Sequence, residues 1–151
     1  MRELIEMNKK EKNARFSVLI ALIKEQKKLV REELRSYRKL AKGIKKSKMR
    51  LEAGERSYER FESKRSATKI KTAIRDRDAL TAQFNALAEK IVKDVSHIRR
   101  DYIAMAHLFF TGRTGRIMNR CENYVDSVVW NMMNIQLHYG INENIEYEEE
   151  Y

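Results

Sequence analysis

Proline is absent from the chain and cysteine occurs once. Average usage of about 5% would put roughly seven prolines in a chain of this length, and proline punctuates loops, turns and strand edges. Its absence argues against a loop-rich or all-β protein and favours long uninterrupted helices. Glycine is also scarce, with five in 151 residues, and no Asn-Gly or Asp-Gly pair joins alternating runs, so no β-hairpin signal exists. The single Cys121 has no intrachain partner. That favours a reducing compartment, cytoplasmic or nucleoid-associated. Long apolar runs are missing too. The longest uncharged stretch, Ser127 to Asn142, carries Asn131, Asn134, Gln136 and His138 and is too short and too polar to span a bilayer, so no membrane partner is expected. The N-terminal MRELIEMNKKEKNARF lacks the apolar core of a signal peptide.

Chemistry-bearing motifs are equally scarce. His97, His107, Cys121 and His138 lie 10, 14 and 17 positions apart, which matches no zinc spacing. There is no Gly-x-Ser-x-Gly elbow and no P-loop. The expectation is a non-enzymatic protein with no metal and no cofactor.

Charge is abundant instead. Lys and Arg number 32 against 22 Asp and Glu, a formal net charge of +10, and the excess is unevenly placed. Residues 1–75 hold 24 basic and 10 acidic side chains, residues 76–141 hold 8 and 7, and the tail NENIEYEEEY holds five Glu and no base. A basic arm of this kind concentrates polyanions around it. The acidic tail, 142–151, is expected to be solvated, with the alternative that it folds back on the basic arm and competes with phosphate.

Hydrophobic residues, 42% of the chain, fall into helical seams. Phe16, Ile20, Ile23, Lys27, Val30, Leu34, Tyr37, Ala41 and Ile44 alternate spacings of four and three, and only Lys27 breaks the series. A second series runs Ile70, Ile74, Arg77, Thr81, Phe84, Ala88, Ile91, Val95, Ile98, Tyr102, Met105 and Phe109. That period keeps one stripe of a helix against a partner. The spacing predicts an all-α fold: a long antiparallel helical hairpin, coiled-coil-like, with a third C-terminal helix. The expected elements are a basic helix at 11–45, a connector at 46–68 containing Gly54, a long helix at 69–111 and a third helix at 115–139. Residues 1–141 then form a single helical domain, closed by Gly140 and followed by the tail. Gly112 is the expected cap of the second helix and Thr114 the N-cap of the third.

One residue beyond the first seam runs a track that is basic at seven consecutive positions: Lys24, Lys28, Arg31, Arg35, Arg38, Lys42 and Lys45. An offset of one residue is a rotation of about 100°, and 21 residues of helix extend about 31 Å, close to one turn of duplex DNA. Repeated cations on a rigid rod suit phosphate contact without base reading. Few acids on the second helical pattern (Asp76, Asp78, Glu89 and Asp94) stand ready to neutralise the track. Arg113, Arg116 and Arg120, spaced three and four apart at the start of the third helix, form a second candidate anion site. A helix-turn-helix over Thr114–Ile135 fits poorly, since Asn119 replaces the expected small apolar residue and the would-be recognition helix is almost uncharged.

Val128, Val129, Trp130, Met132 and Met133 run nearly all round the third helix, more apolar surface than one neighbour covers, which points to an interface and to a homodimer. The functional expectation is a nucleic-acid-binding protein contacting the phosphate backbone, duplex favoured because few aromatics accompany the track. The alternative is a helical interaction or inhibitor module, in the style of a small phage accessory protein, that docks its basic track on an acidic protein surface.

Overall fold

The computed structural model describes residues 8–108 and 113–141, with the backbone alone of Arg113. Helix makes up 94% of the described residues, in three segments, and there is no strand among them. Helix α1 runs Lys9–Phe61, α2 runs Lys64–Ala106 and α3 runs Arg113–His138. The first two pack extensively as a hairpin and the third packs less.

Local chemistry fixes the ends. Asn8 caps α1: its Oδ1 accepts the Glu11 N–H at 2.8 Å, and its Nδ2 donates to the Glu11 carboxylate at 2.8 Å. The hairpin turn is only two residues long. Glu62 takes a left-handed backbone (φ 46°) and its N–H returns to the Tyr58 carbonyl at 2.7 Å, closing α1. Ser63 then caps α2, its Oγ accepting the Ser66 N–H at 3.1 Å. Gly140 (φ 68°) closes α3 two residues past His138, with the Ile141 N–H bonded to the Gln136 carbonyl and the Gly140 N–H to that of Leu137. This is the paired C-terminal motif in which a left-handed residue satisfies two orphan carbonyls, and the following apolar Ile141 is buried.

Two boundaries differ from the sequence expectation. The connector expected at 46–68 is helix up to Phe61. Gly54 does not break the chain there; it is buried, and a Cβ at this position would stand 3.1 Å from Ile70 Cγ1. Its missing side chain lets the two helices approach. Thr114 lies inside the first turn of α3 rather than capping it, and its hydroxyl reaches the Ala106 carbonyl at 3.4 Å. The Gly112 cap, the seam position Phe109 and the acidic tail lie outside the described residues.

The chain divides into two compact units, Met1–Glu33 with Lys90–Trp130, and Leu34–Glu89 with Asn131–Tyr151. All three helices run through both units without a break, so no linker composition marks the division. The first unit is cored by Leu19, Ile23 and Val30 of α1, Ile91, Val95, Ile98, Tyr102 and Met105 of α2, and Ile117, Cys121 and Val128 of α3. In the second, Tyr37 stacks on Phe84 with ring centroids 4.0 Å apart, and its hydroxyl accepts from Gln136 Nε2 at 2.8 Å. Also buried in this unit are Ala41, Ile44, Ala73, Ile135 and Ile141. Near the turn, small polar residues replace aliphatics: Ser47 and Ser66 are buried, and the Ser57 and Ser66 hydroxyls share a hydrogen bond of 2.8 Å.

Candidate nucleic-acid interface

The basic track lies on α1, with Lys24, Lys28 and Arg31 in the first unit and Arg35, Arg38, Lys42 and Lys45 in the second. All seven side chains are exposed. None of the seven is within ion-pair distance of a carboxylate among the described residues. Their exposure follows from the one-residue offset. Tyr37, Ala41 and Ile44 are buried, and the neighbours at 38, 42 and 45 are carried round to solvent.

Two of the four acids that stood as candidate partners, Asp78 and Asp94, are engaged elsewhere. Asp78 pairs with Arg77 at 3.1 Å, and Asp94 accepts from Lys90 Nζ at 2.8 Å. Lys90 also donates to Glu33 Oε2 at 2.8 Å. Glu33, whose side chain is 8% exposed, keeps its Oε1 buried without a partner. Burial pushes the Glu33 carboxyl above its ordinary value; the Lys90 hydrogen bond opposes this, while the neighbouring Asp94 adds to it. Burial also works against ionisation of Asp94, but hydrogen bonds with Lys90 and Glu33 outweigh it and hold that carboxyl below its ordinary value. The Lys90 ammonium is correspondingly held above its usual range by those same bonds, that to Asp94 first. Arg99 and Glu122 pair at 2.7 Å in the same unit.

Arg116 and Arg120 of the second cluster are exposed on α3; the Arg113 side chain lies outside the described residues. Both lack a carboxylate partner among the described residues. Arg120 shares a cleft with Lys24, so one member of the cluster meets one end of the track in the first unit.

The apolar run on α3 separates into two sets. Val128 belongs to the core, at 3% exposure, and is therefore not available as an interface residue, and Met132 is half-buried. Val129, Trp130 and Met133 are exposed, Trp130 by 64%. Leu137, 58% exposed, was not singled out by the apolar run but falls one turn beyond Met133.

Sequence periodicity missed two charged groups on the seam face, the half-buried Lys27 and the buried Glu33. Lys27 reads as a break in the pattern, yet it is half-buried and donates to Tyr102 Oη at 2.6 Å, with its Nζ 4.7 Å from the centre of the Tyr124 ring. Glu33 lies three residues after Val30 and four before Tyr37, a spacing that places it on the buried face. Cys121 is fully buried, and burial, with Glu122 nearby, lifts its thiol above the ordinary value. No group of three or more His, Cys, Asp or Glu among the described residues is arranged to hold a metal ion. No described helix is long and apolar enough to cross a membrane. Comparison with protein-family models, curated proteins and solved structures finds no match.

Proposed function

We propose that the protein binds nucleic acid, duplex in preference to single strand, through non-specific contacts between the phosphate backbone and the basic track of α1. The observation that carries this reading is the track itself: seven successive exposed cations, without a carboxylate partner among the described residues. Surface cations usually stand near acids of the same protein, and an unneutralised row of them gains most by releasing the counterions condensed on a polyanion. Arg120, which lines the same cleft as Lys24, extends the row in the first unit, and Arg116 is exposed on the same helix. Tyr37, the aromatic nearest the track in sequence, is buried against Phe84 and has no face for an unpaired base. The role is non-enzymatic, in a cytoplasmic or nucleoid setting.

The test is fluorescence anisotropy of a labelled duplex of mixed sequence across a salt series. If about six phosphates are neutralised, the slope of log affinity against log salt is about −5. No binding to duplex DNA or duplex RNA at 50 mM salt overturns the reading.

A second reading is favoured by Trp130. An indole 64% exposed beside the exposed Val129 in the first unit, and exposed Met133 and Leu137 in the second, are apolar side chains that solvent-facing helices seldom carry. They support a protein interface, and a homodimer satisfies it most economically. Sedimentation equilibrium then gives about 36 kDa, twice the chain mass, at micromolar concentration. A species of 18.0 kDa throughout leaves that surface to a different protein, as in the interaction-module alternative.

A further inference from the structure

In the first unit a cleft of about 250 Å³ opens beside Lys27. Its floor is apolar, with Ile23, Met105 and Ile117 all nearly buried. Three cations line it, Lys24, Lys27 and Arg120, and no Asp or Glu does. Lys27 is the informative member. It occupies a seam position, where burial of an ammonium costs free energy unless an anion accompanies it. Among the described residues its partners are the Tyr102 hydroxyl, at 2.6 Å, and the Tyr124 ring, whose centre lies 4.7 Å from Nζ. These soften the desolvation of the cation without cancelling its charge. Because Lys27 Nζ donates to Tyr102 Oη, the phenol's own hydrogen is left to donate in turn. An ammonium and a hydroxyl hydrogen thus line one largely apolar cleft, together with the exposed Lys24 and Arg120.

We propose that this cleft binds a short aliphatic carboxylate. The carboxylate group accepts from Lys27 and Tyr102, and the hydrocarbon tail lies on Ile23, Met105 and Ile117. Sites for drug-sized ligands occupy about 300–1,000 Å³, so a cleft below that range takes a tail on the order of eight carbons. A nucleic-acid phosphate lacks such a tail and leaves the apolar floor uncovered. The site is therefore distinct from the phosphate contacts of the proposed interface, sharing Lys24 and Arg120 with them.

Isothermal titration of the whole chain with sodium octanoate tests this, with hexanoate, acetate and octanol as comparisons. Octanoate binds at least tenfold more tightly than octanol. It also binds about fifteenfold more tightly than hexanoate, since each of the two extra buried methylenes contributes roughly a fourfold gain. Acetate shows no saturable binding. Lys27→Met lowers octanoate affinity at least tenfold and leaves octanol unchanged, with helix content checked by circular dichroism. Ile117→Trp fills the cleft and abolishes both, which keeps the test decisive if the Lys27 variant folds poorly. Arg35→Glu with Arg38→Glu, outside the cleft, leaves octanoate binding intact while weakening duplex binding, so the two readings fail separately. Octanoate binding no tighter than octanol, or unchanged in Lys27→Met, overturns the proposal.

Discussion

Lys27 Nζ donates to the Tyr102 hydroxyl at 2.6 Å, at a seam position where the heptad pattern calls for an aliphatic side chain. Replacing a buried charge by an apolar side chain of similar length is often neutral or stabilising by about 1–4 kcal/mol, and by less where, as at Lys27, the residue is only half-buried. Lys27→Met is therefore expected to hold or raise the urea midpoint of the free protein. A loss of more than about 1 kcal/mol would mean that the ammonium contributes to the fold itself, through its rings and hydroxyl, rather than serving a ligand.

Glu33 gives the fold a titration of definite sign. Its carboxyl is raised above 4.5, chiefly by burial, so the folded chain holds this proton more tightly than the unfolded chain does. Stability from such a group is fully present below the unfolded value and is lost as pH rises through the folded one. Glu33→Gln resembles the protonated form and still accepts from Lys90. The stability of the variant minus that of the wild type should accordingly grow between pH 4.5 and pH 8. Urea unfolding at the two pH values measures it, and an identical difference at both excludes the titration.

Backbone conformation at two helix ends is testable by single substitutions. Glu62 holds a left-handed backbone without being glycine, a strain of about 1–2 kcal/mol for an L-residue. Glu62→Gly is expected to stabilise the protein by about 0.5–1 kcal/mol once the added chain entropy of glycine is counted. Gly140→Ala, at φ 68°, is expected to destabilise it by about 1 kcal/mol. Thermal melts that shift in the opposite directions would contradict the assigned turn geometry.

The Tyr37 hydroxyl binds the end of α3 through Gln136. Tyr37→Phe keeps the stack on Phe84 and removes that hydrogen bond, at an expected cost of about 0.5–1.5 kcal/mol. The loss should appear first as faster hydrogen exchange near Ile135 and Gln136. Uniform exchange across the chain would show that this bond does not anchor the helix end.

The hairpin was legible because its aliphatic residues recur at spacings of three and four, from Val30 to Ile44 and from Phe84 to Met105. The helical stretch 46–61 was not, because there the helices approach through Ser47, Gly54, Ser57 and Ser66. Residues that pack by being small leave no apolar period. Lys27 and Glu33 escaped for a related reason: a charged residue in a seam reads as an interruption, whereas burial, ring contact and the Lys90 bridge depend on residues distant in sequence. On α3 the apolar run pointed to the exposed side chains, but composition alone did not separate Val128, which faces the core, from Val129 and Trp130, which do not.

The central claim is that the α1 track contacts phosphate, and charge reversal within a salt series tests it most directly. Arg31→Glu, Arg35→Glu and Arg38→Glu, combined in one chain, remove three consecutive cations of the track without touching a buried residue. Against labelled duplexes of two unrelated sequences, the wild type is expected to lose roughly a thousandfold in affinity between 50 and 200 mM salt. The triple variant should bind both duplexes equally weakly, with a salt slope shallower by about three and an unchanged circular dichroism spectrum. Wild-type binding that ignores salt, or a triple variant that binds as well as the wild type, would contradict the account.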